Sequence, residues 1–123
     1  MKARRLSREE LPAELAADLS GYSLYCAPEL AALWREMDGR DVYWMVENTD
    51  GIQAVLPGVE FGRGPIARFQ AMPDGLPGRV YYTETARIGD QTIDGTLFGA
   101  IRDHGYTKIY FTDFGCAHAP LDD

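Results

Sequence analysis

The chain has no run of about 18 apolar residues, which excludes an ordinary membrane-spanning helix. Cysteine is sparse, with only Cys26 and Cys116. The first ten residues, MKARRLSREE, are basic but lack the apolar stretch of a secretory signal. Two cysteines without such a signal point to reduced thiols and a cytoplasmic location rather than a disulfide framework. Histidine is limited to His104 and His118, so Cys116 and His118 have no second cluster to complete a zinc site, and no metal is expected. Internal repeats and low-complexity segments are absent, which removes repeat architectures from consideration.

What remains suits one globular domain: 123 residues, of which 46% are hydrophobic and 25% charged. The net charge is -7, although four of the 12 basic residues (Lys2, Arg4, Arg5 and Arg8) fall within the first eight positions. The rest of the surface is therefore more acidic than the total suggests. Such a surface repels phosphate backbones, so direct nucleic-acid binding is not expected. The basic tip reads as a solvated, frayed terminus.

Periodicity gives the order of elements. Ser7-Arg8-Glu9-Glu10 is a capping-box pattern, and Leu11, Leu15 and Leu19 then predict a short helix over about 8–19, with Pro12 in its first turn. Tyr22 to Cys26 reads as a short strand, with Cys26 in the core. Pro28 opens a helix whose stripe is Leu30, Leu33, Trp34 and Met37, and Gly39 stops it. The β-branched and aromatic run Val42 to Glu47, the turn Asn48 to Gly51 and the return Ile52 to Phe61 predict a hairpin. Pro57 places that return strand at an edge or a bend. A third strand follows over 66–72, then a loop over 73–79 and a short extended piece over 80–83. Ile93, Leu97, Ala100 and Ile101 mark a helix over about 91–104, closed by His104-Gly105, and Thr107 to Phe114 is a final strand. A helix between strands 66–72 and 107–113 predicts a parallel crossover. The fold class is α+β: a mixed sheet made of an antiparallel meander plus one parallel strand added through the helical crossover.

Several motifs invite chemistry. Asp113-Phe114-Gly115 spells the kinase metal-binding tripeptide, but no matching glycine loop, strand lysine or catalytic loop accompanies it. Gly62-Arg63-Gly64 lies between two strands rather than at a helix start and reads as a turn. Gly95 and Gly99 predict close packing of the last helix on the sheet. The segment carrying Asp74, Arg79, Tyr81 and Tyr82 places a carboxylate, a guanidinium and two phenols after a strand, where they can orient a substrate. Tyr81 and Tyr82 can equally alternate between core and solvent.

The stretches Pro28 to Trp34, Tyr43 to Val46, Asp50-Gly51-Ile52, Val55-Leu56-Pro57 and Met72-Pro73-Asp74-Gly75 with Gly78 together resemble FemAB-type proteins, the aminoacyl and acyl transferases of peptidoglycan bridge formation. The resemblance covers about residues 22–114. It implies a GNAT-like domain over 21–115, preceded by an extension with a short helix over 1–20 and followed by a flexible tail over 116–123. It further implies the N-terminal, acceptor-binding half of an acyl or aminoacyl transferase. Asp74, Arg79 and Tyr81 are then the substrate-binding candidates, with catalytic residues unassigned and the site incomplete within this chain. The partners implied are a second GNAT-like domain or a homodimer partner, and a small-molecule or cell-wall precursor acceptor. The family's pyrophosphate loop corresponds to Arg87-Ile88-Gly89-Asp90-Gln91, whose spacing departs from the pattern and whose Asp90 adds negative charge, so no cofactor is expected. The alternative is a non-catalytic α+β binding or dimerisation module.

Overall fold

The computed structural model describes residues 1–22, 38–71, 80–87 and 90–110. Within them the elements run β1 (Lys2–Ser7), α1 (Ala13–Tyr22), β2 (Gly39–Asn48), β3 (Gly51–Phe61), a 3-10 turn (Gly64–Ile66), β4 (Arg68–Gln70), β5 (Tyr81–Tyr82), α2 (Gln91–Asp103) and β6 (Lys108–Tyr110). One sheet carries all six strands in the order β1-β2-β3-β4-β6, with β5 also on β3. Every pair is antiparallel except β4 with β6, which is parallel. The fold is thus α+β with a mixed sheet, and the expected parallel crossover through the 91–104 helix is present.

The basic tip is not frayed. Lys2 to Ser7 pair with Glu47 to Val42 as an edge strand. The reason lies in alternation: Ala3 and Arg5 turn to one face, Leu6 to the other, and Leu6 is buried. The capping-box residues also serve a different end. The Glu10 side chain accepts from the Ser7 N–H at 2.8 Å, and the Glu10 N–H donates to the Ser7 carbonyl at 3.1 Å. They close a turn, and α1 begins only after Pro12, whose carbonyl accepts from Ala16. The ring of Pro12 is tolerated at a helix start and not one turn inside it.

Two cores sandwich the sheet. On one face Val42, Trp44, Val46, Ala54, Leu56 and Phe69 meet Ile93, Leu97, Phe98 and Ile101 of α2. On the other, Tyr43, Met45, Val55 and Leu6 meet Leu15 and Leu19 of α1. Asp90 caps α2, accepting from the N–H groups of Thr92 at 2.8 Å and Ile93 at 3.3 Å. Gly105, at φ 98°, ends it. Gly95 and Gly99 have open space where a Cβ would stand, so they do not serve the close sheet contact expected of them.

The hairpin turns at Asn48 to Gly51 as expected, with Gly51 at φ 115°. Between Val46 and Glu47 the register shifts by one, because Glu47 faces Ile52 while Val46 faces Ala54. The extra residue is Gln53, buried, donating through Nε2 to Asn48 Oδ1, the Gly51 carbonyl and Thr85 Oγ1. Pro57 lies between the part of β3 that pairs with β5 (Ala54 and Val55) and the part that pairs with β4 (Val59 to Phe61). Among the described residues that stretch of β3 is a local edge, as its proline requires. Tyr22, expected to open a strand, instead ends α1; residues 23–26 of that expected strand, the helix from Pro28 and the motifs at 113–118 lie outside the described residues.

Candidate functional site

At one end of the sheet β1 stops at Ser7, opposite Val42, while β2 continues back to Gly39. Cross-strand partners share a face, so Arg5 (opposite Trp44), Arg40 and Glu60 (opposite each other) all lie on the α2 side. Glu60 is 5% exposed. Arg5 grips it with two donors, Nε to Oε2 at 2.5 Å and Nη2 to Oε1 at 2.6 Å. Arg40 Nη2 stands 3.5 Å from Oε1 and donates to the Gly62 carbonyl at 2.6 Å. From the segment after α2, the Tyr106 hydroxyl donates to Oε2 while it accepts from Trp44 Nε1 at 3.3 Å. His104 and Phe69 pack their rings against Tyr106 with centroids 4.5 and 5.4 Å away.

These contacts set the charges. Burial disfavours an ionised Glu60. The hydrogen bonds from Arg5 and Tyr106 and the charges of Arg5 and Arg40 outweigh it and hold the carboxyl below its ordinary range. Arg5 is held above its ordinary value, chiefly by the Glu60 hydrogen bond. Burial, then the bond to Glu60, pushes the Tyr106 phenol up. At neutral pH the cluster is therefore a carboxylate, two guanidiniums and a neutral phenol. A phenol held protonated in this way is a hydrogen-bond donor rather than a base.

On the α1 face the neighbouring Asp41 is 4% exposed, accepts from the Tyr43 hydroxyl at 2.8 Å and has Arg8 Nη1 at 3.9 Å. A cleft of about 200 Å³ opens where β1 ends, lined by Arg5, Ser7, Arg8, Glu9, Arg40, Asp41 and Val42. Among the described residues the two best buried carboxylates, Asp41 and Glu60, sit behind three guanidiniums that are each about one-third exposed. Such a cleft can hold a group that accepts several N–H bonds.

Of the residues singled out from sequence, Asp74 and Arg79 lie outside the described residues. Tyr81 is on β5 opposite Val55, half-buried against the α1-side core. Tyr82 faces the other core and donates to Asp94 Oδ1 at 2.6 Å. The two tyrosines thus alternate between two cores rather than between core and solvent. Arg87 is exposed ahead of α2, where the Asp90 carboxylate already receives the first free N–H groups of the helix. Sequence reasoning missed Arg5, Arg40, Glu60 and Tyr106. Alternation over residues 2–7 was the available signal for Arg5, and the bulge hid the pairing of Arg40 with Glu60. No group of three or more potential metal ligands occurs among the described residues. None of their helices is long and apolar enough to cross a membrane.

No family model matches the chain, and neither the curated proteins nor the solved structures include a match to it.

Proposed function

We propose that the chain is the N-terminal, acceptor-binding half of a FemAB/GNAT-like acyl or aminoacyl transferase. The observation that supports this reading is the parallel pairing of β4 with β6 across α2, added to the antiparallel run β1 to β4. That is the order of elements on which such transferases place their chemistry. There an amine attacks an acyl carbonyl directly, and backbone N–H groups where two parallel strands part stabilise the oxyanion. Asp74 and Arg79 precede Tyr81 in the sequence, and in this reading a carboxylate holds the acceptor's ammonium and a guanidinium its carboxylate. A second GNAT-like domain supplies the remaining chemistry.

The test is a ¹⁵N NMR titration of the whole chain with a short cell-wall-type peptide bearing a free lysine amine. Saturable shifts confined to 72–82 and 107–114, lost in Asp74→Asn and Arg79→Gln, are the expected result. Shifts elsewhere, or none at millimolar peptide, overturn it. A tight homodimer through the β6 edge, seen by light scattering, would favour a non-catalytic dimerisation module instead.

A further inference from the structure

The outer edge of β1 carries unpaired ladder groups. The N–H and the carbonyl of Ser7 both bond to Glu10, so at Ser7 the backbone points away from β2. In an antiparallel ladder these groups alternate between the two edges of a strand. β1 and β2 keep one register from Lys2 to Ser7. The N–H and C=O groups of Ala3 and Arg5 therefore point outward, as at Ser7, and those of Lys2, Arg4 and Leu6 point to β2. Neither Ala3 nor Arg5 makes a backbone hydrogen bond on the outer side among the described residues. In the described sheet β1 is the end away from β6. Four backbone groups thus stand open to one more strand, and the turn at Glu10 closes the row.

The side chains state what that strand must carry. Lys2 and Arg4 share the α1 face with Leu6, while Ala3 packs against the core on the α2 face. Glu47 serves both cations, lying opposite Lys2 in the ladder and 3.3 Å from Arg4 Nε. Lys2 has no ion pair of its own among the described residues. This row is therefore one carboxylate short. A second copy cannot supply it. A two-fold pairing that matches Ala3 to Arg5 sets Arg4 opposite the same residue of the copy, and like charges directly opposite each other destabilise a ladder.

We propose that β1 is a docking edge for an extended acidic segment of another protein, added antiparallel as a further strand. Its carboxylates lie on the α1 face opposite Lys2 and Arg4, and its small or β-branched residues lie on the α2 face beside Ala3. Backbone hydrogen bonds supply the affinity and the cross-strand charge pairs select the sequence. The net charge of -7 opposes an acidic ligand at long range. At physiological salt the screening length is about 8 Å, so the contacts along the edge decide. The edge lies apart from residues 72–82 and 107–114, so its failure is distinguishable from failure of the transferase reading.

The experiment follows amide exchange in the whole ¹⁵N-labelled chain at about 0.15 M salt. It compares the chain alone with the chain plus the capped peptide Thr-Glu-Val-Glu-Val-Thr or its counterpart Thr-Lys-Val-Lys-Val-Thr. Alone, the amides of Arg4 and Leu6 should be protected, and those of Ala3 and Arg5 should exchange about ten-fold faster or more. The acidic peptide should bind saturably, slow exchange at Ala3 and Arg5, and bind about five-fold or more tighter than the basic one. Ala3→Pro removes one outward donor at an edge position that tolerates proline, and should weaken binding about three- to ten-fold. Lys2→Glu should weaken binding of the acidic peptide roughly two- to five-fold. Should Ala3→Pro fail to fold, exchange in the unaltered chain and Lys2→Glu carry the test. No saturation at millimolar acidic peptide overturns the proposal, as do unchanged exchange at Ala3 and Arg5 or a basic peptide that binds as tightly. Exchange at those two amides that slows with protein concentration alone also overturns it, since the occupant is then a second copy.

Discussion

Replacing Glu60 by glutamine tests whether the charge cluster is a structural unit rather than a set of neighbours. Glutamine keeps the volume and one acceptor oxygen, so Tyr106 or one donor of Arg5 can still bond. What is lost is the negative charge between two guanidiniums. Each charge-assisted bond from Arg5 is worth about 1.5–3 kcal/mol, and roughly half of that pair survives on an amide oxygen. Removing one partner of a fully buried ion pair costs about 3–5 kcal/mol. Arg5 and Arg40 are about one-third exposed and recover some hydration, so the expected loss is about 2–3 kcal/mol. For a chain of this length that is a fall in Tm of roughly 6–15 °C.

The pH dependence makes the test specific. The folded-state carboxyl of Glu60 is depressed, so its stabilisation is fully present above the ordinary carboxyl value of 4.5 and is lost as pH falls through the lower folded value. Urea unfolding of wild type and Glu60→Gln at pH 7 should therefore differ by the full amount, and the gap should close as the pH is taken below 4.5. A difference that is the same at pH 7 and pH 3, or smaller than about 0.5 kcal/mol at neutral pH, refutes the argument that ionised Glu60 organises Arg5 and Arg40. A double-mutant cycle with Arg5→Gln should show a coupling of about 1.5 kcal/mol or more.

Two further outcomes follow from the packing. A Cβ at Gly58 would lie 2.5 Å from the Phe69 ring and 2.7 Å from the Gln70 carbonyl, so Gly58→Ala should cost about 3 kcal/mol in urea unfolding, because the backbone atom cannot yield as the ring can. Asp90→Ala removes the acceptor for two N–H groups and a negative charge at the start of α2, and should lower stability by about 1 kcal/mol and increase amide exchange at Thr92 and Ile93.

The elements that were legible carry their own signal. The stripe Ile93, Leu97 and Ile101 is buried as its spacing predicts, because an i, i+4, i+8 row is one face of a helix whatever it packs on. The 48–51 turn was legible for the same local reason. Features that depend on distant partners were not. Residues 2–7 look like a charged tail until β2 offers them a partner. The pairing of Arg40 with Glu60 depends on the one-residue bulge at Gln53: counting back from the turn without it sets Arg40 opposite Val59 and puts Glu60 on the wrong face. Tyr106 reaches Glu60 only because the crossover returns β6 beside β4. A charge cluster assembled from four separate segments leaves no local pattern to read.

The ladder around β3 also sets how β4 and β5 share the sheet. β2 occupies one edge of β3 along its whole length, so β4 and β5, which both pair with β3, must share the other edge. Gln70 faces Val59 and Tyr81 faces Val55, four residues apart on β3, or about 13 Å. β4 and β5 therefore lie along a single line on that edge, each antiparallel to β3. The residues that border them, Ala71 after β4 and Val80 before β5, are buried. The parallel neighbour β6 pairs with the first piece, β4, over Arg68 to Gln70. The gap between these two sets of pairs along β3 explains why Pro57 and Gly58 are tolerated in a central strand: there no described ladder partner requires the missing N–H of one, and the ring of Phe69 fills the space left by the other.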